Sequence, residues 1–140
     1  MRNRYDILPC GRAVVYLRGA GQEHAVLIDT ADLPAVASLN GTWYAEKRNW
    51  TLYAAITVRE PGKPRYTIRM HRFLMQPPPE MEVDHRNNDG LDNTRRNLRV
   101  VSPDANKANT RQWGGGRDIG YRWYEAGCVK PDYDYLEYLI

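Results

Sequence analysis

Apolar and polar positions alternate through much of the first half of the chain. "RAVVYLRG" (12–19) and "EHAVLID" (23–29) are β-branched or aliphatic runs separated by a glycine-containing turn, which predicts a hairpin. "DLPAVASLNG" predicts a short helix: Asp32 suits the N-cap, Pro34 the first turn, and Asn40-Gly41 the stop. "TWYAE" and "WTLYAAITV", interrupted at "KRN", read as two further strands. Glu60 to Pro64 forms a turn signal, and "RYTIRM" then places Tyr66, Ile68 and Met70 on one face and Thr67, Arg69 and His71 on the other. Residues 10–75 are therefore expected to form a small, mostly antiparallel sheet region with one helix.

The alternation breaks at "MQPPPEM", where three prolines favour an extended connector over a central strand. Beyond it "EVDH" reads as a short strand, "RNNDGLDNTRR" as a loop of turn formers, and "NLRVV" as a second strand. "SPDANKANTR" opens a helix, with Ser102 as N-cap, Pro103 at the first helical position and Asp104 at the positive helix end. The expected fold class is α+β: an N-terminal β-rich region (1–75), a ββα unit (76–112) and an aromatic, acidic C-terminal segment (113–140).

Composition changes this picture in three ways. The chain of 140 residues has one Phe against ten Tyr and four Trp, so the core is expected to carry rings with polar handles. Its two cysteines, Cys10 and Cys128, match neither a zinc spacing nor a secreted disulfide framework, and are expected to be unpaired thiols in a reducing compartment. The net charge is +3, with arginines outnumbering acids between Arg65 and Arg117 and an acidic tail after them. That asymmetry fits an anion-binding surface, and equally an ordinary solvated one. No apolar run approaches membrane-spanning length, so a cytoplasmic protein is expected.

The candidate chemistry is concentrated between Val83 and Arg111. Asp84 offers a hard oxygen suited to Mg²⁺ or Mn²⁺, and His85 can accept a proton from water near neutral pH. Neighbours on a strand point to opposite faces, but twist at a strand end can bring both to the edge of one cleft. The predicted helix carries Asn106 and Asn109 three residues apart, and its N-terminus suits a phosphate. The same residues also admit a purely structural reading, in which Asn and Asp of "NNDGLDN" only cap turns.

The stretches "MHRFLM", "EVDH", "LDNTRRNLRVV" and "ANKAN" together resemble the HNH endonuclease family, specifically phage-type homing endonucleases with a ββα-metal site. The resemblance spans residues 13–111 and places Asn where the family name has its last His. It implies that Asp84 and the side-chain oxygen of Asn106 hold one divalent metal, Mg²⁺ or Mn²⁺. It implies that His85 is the general base and that Asn97 is a scaffold bonding across the ββ loop and orienting His85. His71, Asn93 and Asn109 are expected to support the site. Arg72, Arg95, Arg96, Arg99 and Arg111 are the phosphate-contact candidates, with double-stranded DNA as partner in a bacterial or phage-infected cell. "GYRWYE" resembles the start of an AP2-like DNA-binding element, truncated or divergent here. The implied function is metal-dependent hydrolysis of DNA, by a nick or a double-strand cut; the alternative is a non-catalytic DNA-binding module on the same scaffold.

Overall fold

The computed structural model describes residues 1–19, 23–48 and 51–110, and the side chains of 108–110 are outside that description. Nine strands and three helices follow one another within it. Strands β1 (Tyr5–Ile7), β2 (Arg12–Leu17) and β3 (His24–Asp29) form an antiparallel meander, with Val14 opposite Leu27 and Val15 opposite Val26. A 3₁₀ turn (Thr30–Asp32) leads into helix α1 (Leu33–Ser38). Strands β4 (Tyr44–Arg48), β5 (Thr51–Val58) and β6 (Tyr66–Arg69) form a second antiparallel sheet. Helix α2 (Met70–Met75) follows. Strands β7 (Glu82–His85) and β9 (Leu98–Val101) form an antiparallel hairpin, and helix α3 (Pro103–Thr110) closes the described chain. Between β7 and β9 lies β8 (Asp92–Asn93), which pairs in parallel with β3.

The α+β class and the strand-loop-strand-helix order of residues 82–110 agree with the sequence reading. Ser102 caps α3 as expected: its Oγ accepts from the Ala105 N–H at 3.3 Å, with Pro103 in the first helical position. Three local expectations need correction. Met70 does not extend β6 but starts α2, giving the N-terminal region a second helix. "MHRFLM" buries Met70, His71 and Leu74, an apolar edge too short to display a helical period in sequence. The helix stops at Gln76, which is left-handed (φ 44) and precedes the prolines that cannot continue it. Asp32 occupies the N-cap position of α1 but makes no capping bond; its two oxygens accept from Arg95 Nε and Nη2, each at 2.9 Å. Cys10 is disulfide-bonded rather than the expected free thiol, and two cysteines in a chain of this length leave no spacing signature that would have shown it.

One core joins the two predicted regions. Val15, Val26 and Ile28 of the meander pack in the same cluster as Trp43, Ala54, Ile56, Met70 and Leu74, and as Val83, Leu91 and Leu98 of the hairpin and its loop. The boundary expected at 75/76 is thus a change of pattern, not a division of the core. Trp43 is fully buried and its indole N–H donates to the Val36 carbonyl at 3.1 Å, which ties α1 to the sheets and satisfies the polar handle. A smaller cluster of Leu8, Val14, Tyr16, Ala25 and Leu27, with Cys10 against it, covers the other face of the meander. Among the described residues no helix is long and apolar enough to cross a membrane. The segment 113–140 lies outside the described residues.

Gly90 sets how closely the β7–β9 loop approaches β5. A Cβ built there would overlap the Leu52 carbonyl oxygen and stand 2.8 Å from the Tyr53 ring, so any side chain must push the loop off the sheet. Gly90→Ala is expected to lower stability by about 1–3 kcal/mol, as overpacking does. The check is the midpoint of equilibrium denaturation; an unchanged midpoint would show that the loop yields freely.

Candidate functional site

The loop between β7 and β9 explains most of the amides in the sequence. Asn87 Oδ1 accepts from the Asp89 N–H at 2.9 Å, Asp89 Oδ1 from the Leu91 N–H at 3.0 Å, and Asp92 Oδ1 from the Thr94 N–H at 3.3 Å. Each is a local side-chain-to-backbone turn of the kind short polar side chains favour. Asn97 links them. Its Nδ2 donates to Asn87 Oδ1 at 2.9 Å and to the Asp92 carbonyl at 2.8 Å, and its Oδ1 accepts from the Asn87 N–H at 3.1 Å. Asn97 thus bonds across the ββ loop, to Asn87 and to the Asp92 carbonyl.

The residue bonded directly to His85 is Asn93, not Asn97. His85 Nε2 and Asn93 Oδ1 are 2.8 Å apart; a carbonyl oxygen only accepts, so Nε2 carries the proton and the imidazole lone pair sits on Nδ1. His85 and Asn93 are both buried. His71, delivered by α2, meets the His85 ring edge-on with centroids 4.9 Å apart, and Tyr53 of β5 lies 5.0 Å from His71 and 5.7 Å from His85. Two buried polar atoms in this cluster, His71 Nδ1 and Asn93 Nδ2, have no hydrogen-bond partner. Unsatisfied buried polar atoms are costly and mark a place where another group can bind.

Burial lowers the His85 pKa, opposed by the Asn93 bond and by the Asp89 and Asp84 carboxylates. Burial also pushes His71 well below the ordinary 6.5, helped by the charges of His85, Arg72 and Arg69. Both imidazoles are thus neutral at neutral pH, which is the form a proton acceptor needs.

The other face of the hairpin is acidic. Pairing sets Asp84 opposite Arg99 and His85 opposite Leu98, so the pleat sends Asp84 with Glu82 to one side and His85 with Val83 to the other. The two neighbours leave the strand in opposite directions, yet remain close enough for the Asp84 charge to act on His85. Asp84 is 3% exposed, and Arg99 Nε and Nη2 both converge on its Oδ2, at 2.8 and 2.7 Å. Helix α3 delivers Asn106 onto the same face, where its Nδ2 donates to Glu82 Oε2 at 2.6 Å. Glu82, Asp84 and Asn106 thus share one face of the hairpin, with Asn106 bonded to Glu82 and Asp84 bonded to Arg99. Among the described residues no group of three or more His, Cys, Asp or Glu side chains is arranged to hold a metal ion.

The arginines divide. Arg95 is committed to Asp32 by a bidentate fork, and its backbone N–H donates to Asp29 Oδ2 at 3.0 Å, which fastens the end of the ββ loop to the 3₁₀ turn. Arg99 is on Asp84. Arg72 and Arg96 are exposed. Arg111 and the side chain of Asn109 lie outside the described residues. The sequence reading missed Glu82, Tyr53 and Asp32. For the first two a signal was present, since strand alternation puts Glu82 on the face of Asp84 and separates Tyr53 from the apolar face of "WTLYAAITV". No family model matches the chain, and no curated protein or solved structure matches it.

Both imidazoles have folded pKa values below their unfolded ones. As pH falls, the unfolded chain takes up protons first, so their contribution is complete above about 6.5 and is lost as pH drops through the folded values. Stability should decline below about pH 6.5 with a slope of up to ~1.4 kcal/mol per pH unit for each imidazole. Denaturation of the parent and of His71→Leu from pH 8 to 5 checks this: the variant should lose part of the slope, and an identical slope would place a protonated His71 in the fold.

Proposed function

We propose that the chain is a metal-dependent DNA endonuclease of the HNH type, hydrolysing phosphodiester bonds in double-stranded DNA. The observation that carries this reading is the ββα arrangement itself. It sets a buried, neutral, Asn93-oriented His85 next to Asp84 on one strand, and brings Asn106 from the following helix onto the acidic face of that strand.

In this reading the His85 Nδ1 lone pair accepts a proton from water as the water oxygen attacks phosphorus and the bond to the leaving oxygen breaks. Asn93 holds the tautomer, and the His71 and Tyr53 rings hold the plane of the imidazole. Asp84 and Asn106 would hold the divalent cation, which supplies positive charge for the phosphate and the leaving oxygen when bound. Asn97 acts at a distance, by holding the loop that carries Asn93. The Arg99–Asp84 pair favours a second reading, a DNA-binding module whose acid is neutralised from within the chain. The same assay separates the two.

That assay is nicking of supercoiled and linear duplex DNA with Mg²⁺, with Mn²⁺ and with excess chelator. Cleavage should require the metal, while weak DNA binding persists without it. His85→Ala should slow the single-turnover step by about 10²–10⁴-fold, the usual contribution of a general base, with metal-dependent DNA binding retained. Asp84→Ala should lose metal affinity and rate together, with partial recovery in extra Mn²⁺. Cleavage at the parent rate by His85→Ala, or full activity in chelator, would overturn the assignment.

A further inference from the structure

The sheet β4–β5–β6 has two unlike faces. Ala45, Ala54 and Ile56 are buried in the core, with Leu52, Val58 and Ile68 packed against them. The pairing of Tyr44 with Ala55 and Arg69, of Glu46 with Tyr53, of Arg48 with Thr51 and of Thr57 with Thr67 puts all of these side chains on the opposite face. That face is mostly polar and partly solvent-exposed: Arg48 and Thr67 are exposed, and only Ala55 at its centre is buried. Its charges are two guanidiniums and one carboxylate: Arg69 Nη2 and Arg48 Nε meet Glu46 Oε1 at 2.9 and 3.2 Å. Arg69 Nε and Glu46 Oε2 are buried there with no hydrogen-bond partner. The face runs without interruption into the candidate site, because Tyr53 belongs to both and touches the His71 and His85 rings.

We infer that this polar sheet face is the surface on which duplex DNA lies when a phosphodiester reaches His85. The inference rests on the nuclease reading and adds to it a binding surface outside the ββα unit. An excess of guanidinium over carboxylate complements a polyanion, and threonine and tyrosine hydroxyls are donors to phosphate oxygens. Strands are known readers of DNA grooves, and a flat polar sheet beside the chemistry presents a broader contact than the short helix α3. Arg48 and Arg69 would gain phosphate partners in exchange for a shared carboxylate. Tyr53, half-buried against the two imidazoles, fixes the sheet relative to His85.

The strand itself supplies the control, since Lys47 is exposed on the side of β4 opposite to its neighbour Arg48. Arg48→Glu and Lys47→Glu therefore make the same charge change at adjacent residues on opposite faces, and Thr67→Glu adds a charge to the proposed face without touching the Glu46 ion pairs. Binding of a short fluorescein-labelled duplex is measured in excess chelator over a salt series, and single-turnover nicking is measured in Mg²⁺, with thermal melting to verify folding. Arg48→Glu should reduce the slope of log Kd against log salt by about one, as loss of one phosphate contact does. Arg48→Glu and Thr67→Glu should both weaken binding and raise the protein concentration needed for half-maximal nicking, and Lys47→Glu, on the other face of β4, should keep the parent slope and the parent nicking. If the parent nicks DNA but Arg48→Glu binds like the parent, or no worse than Lys47→Glu, the sheet face is overturned and the nuclease reading stands. If the parent neither binds nor nicks DNA, both fall.

Discussion

A buried loop has to satisfy its own polar groups, and the one between β7 and β9 does so through Asn97. Its neighbours Asp89, Asp92, Asn93 and Thr94 are all buried, in a place where each unpaired N–H or carbonyl costs about 1–3 kcal/mol. One carboxamide closes that network by reaching both Asn87 and the Asp92 carbonyl. The consequences spread outward. With the loop fixed, β8 can pair with β3, Leu91 can enter the core, and Asn93 stands at hydrogen-bond distance from His85. An Asp in place of Asn97 would keep the acceptor and lose both donations; an Ala would lose all three bonds. The position therefore demands an amide for reasons that precede any chemistry at His85.

The Asp84–Arg99 pair follows from register in the same manner. Residues directly opposed on antiparallel strands come within side-chain reach, and a carboxylate as deeply buried as Asp84 requires a counter-charge. Arg99 is about a third exposed, so it can leave without itself becoming buried and unpaired. Arg99 supplies that counter-charge from within the chain; on the proposed nuclease reading a cation at the Asp84 carboxylate would supply it instead. Arg95 differs: its bidentate bond to Asp32 closes a long-range contact between the 3₁₀ turn and the loop, and its loss would loosen the frame of the site.

Strand periodicity carried most of the legible information. The β2–β3 hairpin, the two long strands of the second sheet and the ββα order are where alternation, turn residues and the Ser102-Pro103 cap put them. The failures share a cause, which is that they depend on contacts between distant segments. Asp32 carries a helix-start signal, yet Arg95, 63 residues away, takes its carboxylate. Met70 continues an alternation, yet burial of His71 and Leu74 makes that segment a helix. Parallel pairing of β8 with β3 involves only two residues of β8 and has no local pattern at all. The candidate site was legible at Asp84, His85 and Asn106, because their order along one strand and one helix is local. His71 was expected beside it, but its edge-on packing from α2 and the Tyr53 wall from the sheet were not, because only the folded core brings those elements to the hairpin.

That division of labour bears on how the site is built. The acidic face of the hairpin is supplied by elements within about one ββα unit, and the imidazole face by three elements from different parts of the chain. A ββα unit alone would present Asp84 and Asn106 but leave His85 solvated, with its ordinary pKa and a freely rotating ring. Packing α2 and β5 against it buries the imidazole, lowers its pKa and fixes its plane, at the cost of leaving His71 Nδ1 and Asn93 Nδ2 unsatisfied. Natural cores rarely retain such atoms without return. On the nuclease reading proposed above, that return would be a rigid proton acceptor at His85, its plane set by Tyr53 of the same sheet whose polar face lies beside it.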